Sequence, residues 1–197
     1  GLSRRPRPAG DPEDAQHQSV LVYKIKWLML FRLVLVTILL GSALILQIKV
    51  QKTRPLDLLY LLIIVSYIFT AVTVNFLRRV SNLRLYAYLQ IVYDLFLETG
   101  IVYITGGVES IFTFTYIFTI IAASILLFRR GAFLTASLST ILYGALIDLQ
   151  FYQVLPLYDS YRFLFMTVNS STIYYNIFLN SCAFYLIAFL SSYLSES

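Results

Sequence analysis

Polar side chains recur at helical spacing inside apolar sequence. Tyr86, Gln90, Asp94 and Glu98 stand four residues apart, and residues at i and i+4 share one face of a helix. They therefore form a polar stripe along an otherwise apolar segment. Ionised carboxylates inside a membrane are costly, so Asp94 and Glu98 should face the interior of a bundle and are candidates for protonation. Ala132, Ala136, Thr140 and Gly144 form a second ribbon at the same spacing, which ends at Asp148. Small side chains in a row let another helix approach closely, making this a candidate docking face. Thr172, Asn176 and Asn180 repeat the interval, with Asn169 one turn before. Asparagines in lipid bond across helices, worth about 0.6 to 2 kcal/mol each.

The segments that must position these residues are membrane spans. The 197 residues are 59% hydrophobic with mean hydropathy +0.77, well above the roughly 45 to 50% apolar content of soluble domains. A bilayer core needs about 20 apolar helical residues to cross it. Six runs qualify, at about 27–48, 58–77, 85–104, 111–128, 132–151 and 171–191, which predicts an all-α polytopic membrane protein with six transmembrane helices. The fourth and fifth form a hairpin with Arg129, Arg130 and Gly131 at its turn. Residues 1–19 are polar, charged and proline-containing, as expected of a disordered tail; residues 20–197 form the helical domain. The lone His17 lies in the tail and reads as solvated.

Counting Lys and Arg on alternate sides gives eleven (Arg4, Arg5, Arg7, Lys24, Lys26, Arg32, Arg78, Arg79, Arg84, Arg129, Arg130) against four (Lys49, Lys52, Arg54, Arg162). By the positive-inside rule both termini are expected in the cytoplasm, and the net charge of +5 reflects topology rather than nucleic-acid binding. Trp27, Tyr103, Tyr152, Tyr158, Tyr161 and Tyr193 stand near span ends as interface anchors. The segment from Gln150 to Phe165, broken by Pro156, is expected to lie along the outer surface. Cys182 reads as a small packing residue.

At 1.5 Å per residue from the cytoplasmic ends of their spans, Asp94 lies about 14 Å in, Glu98 about 20 Å and Asp148 about 24 Å. Two readings follow. The polar groups are interhelical glue, or Gln90, Asp94, Glu98, Asp148, Asn176 and Asn180 line an outward-facing polar cavity that senses or binds something. Phosphate-binding glycine loops, Cys/His metal spacings and a histidine to partner a nucleophile are all absent from the sequence. No catalytic residue, metal or cofactor is expected in this chain.

The run TGGVES, followed by a span ending IIAASILLFRRGAFLTASLSTILYG, resembles the membrane region of bacterial sensor histidine kinases of the type IV pilus regulator group, PilS-like. The likeness is closest over residues 105–152. Where that group carries Ser-Pro-Phe after the Gly-Gly turn, this chain has Ser110, Ile111 and Phe112. The resemblance implies a sensory input module in the bacterial inner membrane, working as a homodimer, with PAS and ATP-dependent kinase domains expected downstream. It further implies a signal met in the membrane or envelope, such as a pilin-like helix, and control of a response regulator. The alternative is a six-helix substrate-binding subunit of a small-molecule transporter. An intramembrane aspartic protease built on Asp94 or Glu98 with Asp148 lacks the flanking sequence such a site needs.

Overall fold

The computed structural model describes residues 20, 22–38, 56–76, 82–155 and 170–196. The tail 1–19, the later part of the first predicted span, Asn169 and most of the segment from Gln150 to Phe165 lie outside them. The described residues form helix α1 over 22–38, α2 Leu56–Phe76, α3 Leu83–Ile104, α4 Thr115–Phe151 and α5 Ser170–Glu196. Two short 3-10 turns, Gly107–Glu109 and Ile111–Phe114, join α3 to α4.

Local chemistry sets the ends. Asn82 caps α3, its side chain accepting from the Leu85 amide, as an N-cap asparagine does. Gly106 and Gly107 follow α3 with φ of 121° and 62°, a left-handed backbone that glycine adopts at least cost. Ser110 then starts the second turn, its hydroxyl accepting from the Phe112 amide at 3.2 Å.

Helix α4 is a hairpin. Phe128 interrupts it with φ 58° and ψ −162°, and the two arms fold back on each other. Tyr116 and Tyr143 are 27 residues apart, yet their rings meet edge to face with centroids 6.3 Å apart; a straight helix would separate them by about 40 Å. The break falls one residue before the expected Arg129-Arg130-Gly131 turn. Gly131 itself is helical, and its role is close approach: an added Cβ would meet the Leu127 side chain and the Ala123 carbonyl oxygen, the latter at 3.1 Å.

Inter-helix contacts fix the remaining directions. The α3 residues Glu98 and Thr99 pair with Thr119 and Tyr116 of the first arm, an antiparallel register. Ser137 and Asn180 bonds join the second arm to α5, also antiparallel, through Tyr185 and Tyr143. Helix α2 opposes α3, with Phe69 stacked on Tyr93 and the Tyr86 hydroxyl donating to the Thr73 carbonyl. Helix α1 packs parallel to α3, Ile25 beside Tyr86 and Ala87, and Val36 beside Leu97 and Ile101. Among the described residues the helical segments thus alternate in direction.

The largest core cluster joins three of them through Tyr116, Tyr143 and Phe184, whose ring centroids lie 5.4 to 6.3 Å apart. Among the described cations, Lys24, Lys26, Arg84, Arg129 and Arg130 gather at one end, where α1 and α3 begin and α4 turns. Arg32 does not join them. Counted from sequence as a flanking cation, it is 5% exposed and sits inside the bundle. Cys182 is exposed on α5 rather than packed. Trp27, Tyr152 and Tyr193 are more than half exposed, as interface anchors are.

Candidate functional site

The site grows from the polar stripe of α3. Gln90, Asp94 and Glu98 are 1%, 6% and 5% exposed, so the face they share points into the bundle. Burying an isolated charge there costs several kcal/mol, and the chain offsets that cost with Arg32 from α1. The Arg32 guanidinium forms an ion pair with Asp94 through Nε, and its Nη2 donates to Gln90 Oε1 at 2.7 Å. Gln90 Nε2 donates in turn to the Tyr86 hydroxyl at 3.2 Å, which itself donates to the Thr73 carbonyl of α2 at 2.6 Å. The planar guanidinium also lies 5.1 Å from the Tyr93 ring centroid and 5.7 Å from that of Phe69, within range of cation–π attraction. One cation therefore ties α1, α2 and α3 together.

Glu98 reaches the other way. Its Oε1 accepts from Thr119 Oγ1 of the first arm at 2.6 Å, while Oε2 and the Arg32 Nη1 have no hydrogen-bond partner among the described residues. A cavity of ≈ 30 Å³ opens between Arg32, Asp94, Glu98 and Thr119, enough to admit a water. The cluster carries one positive and two potentially negative groups. It has a spare donor and a spare acceptor, so it can exchange hydrogen-bond partners without leaving the low-dielectric interior. Leu28, Phe31 and Phe118 close it off on one side.

The other predicted residues lie elsewhere. The register Glu98 to Thr119, then Tyr116 to Tyr143, places Asp148 about two helical turns beyond Glu98, roughly 11 Å along the axis. Asp148 is half-buried near Tyr152 and Tyr174. Asn180 Nδ2 donates to the Asn176 backbone carbonyl at 2.9 Å and to the Tyr143 hydroxyl at 3.4 Å, so Asn180 bonds within α5 and to the second arm. None of these three lines the cavity with Asp94 and Glu98.

The small-residue ribbon is met by α5 of the same chain. Ala132 and Ala136 are fully buried in the cluster that contains Phe184 and Ala188, and a Cβ added at Gly144 would stand 3.7 Å from Ile177 Cγ2. Thr140 Oγ1 is buried there without a hydrogen-bond partner among the described residues. Among the described residues no group of acidic, histidine or cysteine side chains could hold a metal.

Arg32 and Thr119 complete the site and were not singled out from sequence. The missed signal for Arg32 is its position: the described part of α1 begins at residue 22, which puts Arg32 about 15 Å along the helix. Thr119 carries no comparable signal.

Three described helical stretches, Leu83–Ile104, Ile111–Phe151 and Ser171–Ser195, are long and apolar enough to cross a membrane. The model of one protein family, the PilS-like transmembrane domain, matches residues 11–197. No curated protein and no solved structure matches the chain. Match and helices together make it a multi-pass membrane protein.

Proposed function

Because the chain belongs to the PilS-like transmembrane domain family, we propose that it is the six-span signal-input domain of a sensor histidine kinase in the bacterial inner membrane, with both termini in the cytoplasm. The family match carries this reading. In it, a signal in the membrane or envelope changes the packing of α5, and ATP-dependent kinase domains on the cytoplasmic side pass the change to a response regulator, the whole working as a homodimer.

Signalling requires an element with two arrangements that the signal stabilises unequally. Helix α5 suits the role. It is exposed along most of its length, leans on the second arm through Ser137–Tyr185 and Asn180–Tyr143 bonds, and returns to the hairpin turn, where Ser195 Oγ donates to the Ser124 carbonyl at 3.2 Å. A pilin-like helix seeking the face of Ala132, Ala136, Thr140 and Gly144 would have to displace α5, which would couple capture to output directly. The Arg32–Asp94–Glu98 cluster would set the resting arrangement on the opposite side of the first arm.

The test uses the full-length coding region expressed in native membranes. Phosphate transfer from ATP to a histidine of the product and on to a response regulator is expected, with its rate altered by Glu98→Leu. A product that takes up no phosphate, or a reading frame without a kinase core, overturns the proposal. A photoreactive residue at Gly144 should capture a pilin-like helix; capture of α5 alone would confine that face to an internal joint.

A further inference from the structure

An outward-facing groove runs between α1 and the first arm of α4. Its volume is ≈ 320 Å³, within the range of small-molecule sites. Tyr23, Trp27, Phe31, Phe118, Ala122 and Ile125 supply much of its wall, and Lys24 is the one charged residue lining it among those described. Tyr23 and Trp27 are 65% and 58% exposed, so the groove opens to the surroundings rather than into the bundle.

Lys24 stands at the basic end of the molecule. Its Nζ donates to the Ile125 carbonyl at 3.2 Å and lies 6.0 Å from the centroid of the Phe128 ring. An ammonium has three donors, and among the described residues no carboxylate lines the groove. The exposed Arg129 and Arg130 add positive potential just beyond the Phe128 break. The groove thus offers a long apolar surface with a cation at its mouth that no described carboxylate lining it offsets, at the end of the molecule where the described basic residues gather. That charge pattern matches a molecule with an apolar tail and a negative head.

We propose that this groove is a site for one anionic phospholipid, its phosphate on Lys24 and an acyl chain along Trp27, Phe31 and Ala122. A zwitterionic lipid fits less well because its cationic headgroup meets Lys24 and the neighbouring arginines. At the inner end the acyl chain touches Leu28, Phe31 and Phe118. The same three side chains wall the cavity of Arg32, Asp94 and Glu98, with the Phe31 and Phe118 ring centroids 5.4 Å apart. Occupancy of the groove therefore fixes the partition between lipid and the buried polar cluster.

The test is lipid retention by the whole chain, purified in mild detergent and mixed with equal amounts of phosphatidylglycerol and phosphatidylcholine of matched chains, read by native mass spectrometry. One anionic lipid should be kept with about fivefold preference, the effect of one lysine near an anionic headgroup. Lys24→Gln should abolish the preference. Ala122→Phe, which fills the groove without touching the charge, should abolish retention of both lipids. Lys26→Gln, which removes a neighbouring cation outside the groove, should change neither. Equal retention of the two lipids by the unmodified chain, or the same loss with Lys26→Gln, overturns the proposal. So does an Ala122→Phe variant that keeps its lipid but loses a dimer, which would make a second copy the occupant. The readout is binding alone, so it stands or falls apart from kinase control.

Discussion

The Arg32 guanidinium donates to Gln90 at 2.7 Å while pairing with Asp94, so a single cation on α1 grips two residues one turn apart on α3. Its partners define what its removal would do.

Arg32→Leu strands the Asp94 carboxylate inside the bundle, and Asp94→Leu strands the guanidinium. Each should lower unfolding free energy in mixed micelles by about 3 to 5 kcal/mol, whereas the double replacement should lie within about 1 kcal/mol of the parent. A double variant as unstable as the sum of the singles would show that the pair is not the coupling unit.

Thr119→Val removes the hydroxyl that donates to Glu98 at 2.6 Å and keeps the shape. A loss of about 1 to 2 kcal/mol is expected. Glu98→Gln retains an acceptor for the same hydroxyl and should cost less than Thr119→Val. The same micelle titration checks both, and the reverse order would mean that Glu98 is held by its charge rather than by this bond.

Gly131→Ala should open the hairpin turn, because the new methyl meets the Ala123 carbonyl at 3.1 Å and the Leu127 side chain. A cost of about 1 to 3 kcal/mol follows from forced repacking. Paired spin labels replacing the exposed Phe118 and Ile141, one on each arm, should report a longer distance; an unchanged distance and stability would show that Leu127 yields freely.

Phe128 occupies a backbone region that is almost exclusively glycine's, at a cost of about 1 to 3 kcal/mol. Its ring is 45% exposed, so Phe128→Gly gives up little packing and should stabilise the isolated domain against thermal unfolding. A lower melting temperature would place the value of this residue in its ring contacts instead.

The α3 stripe was legible in sequence because four-residue spacing survives any error of a few residues in a span boundary. The hairpin was legible from Arg129 and Arg130, which interrupt a run too long for one crossing. Depth was less so. Asp148 and Glu98 looked level when each was measured from its own span end, but register is set by side chains such as Tyr116, Tyr143 and Thr119. Arg32 was hidden by the rule that assigns cations to flanks; a span begun five residues late made an interior arginine look peripheral. The ribbon from Ala132 to Gly144 marks a face on which a helix can pack, yet spacing carries no information on which helix arrives. Here it is α5, brought there by the antiparallel return after the second arm.

The pairing of Arg32 with Asp94 also bears on biogenesis. An arginine at the middle of an inserting helix is disfavoured by about 2.5 to 3.5 kcal/mol, and an aspartate by a similar amount. The partner of α1 is encoded 62 residues downstream, roughly 3 to 12 s of synthesis at cellular rates. During that interval Arg32 lacks its α3 counter-charge. Helix α1 must wait beside the insertion machinery, or at the interface, until α3 emerges, so α1 is made before α3 but cannot settle ahead of it.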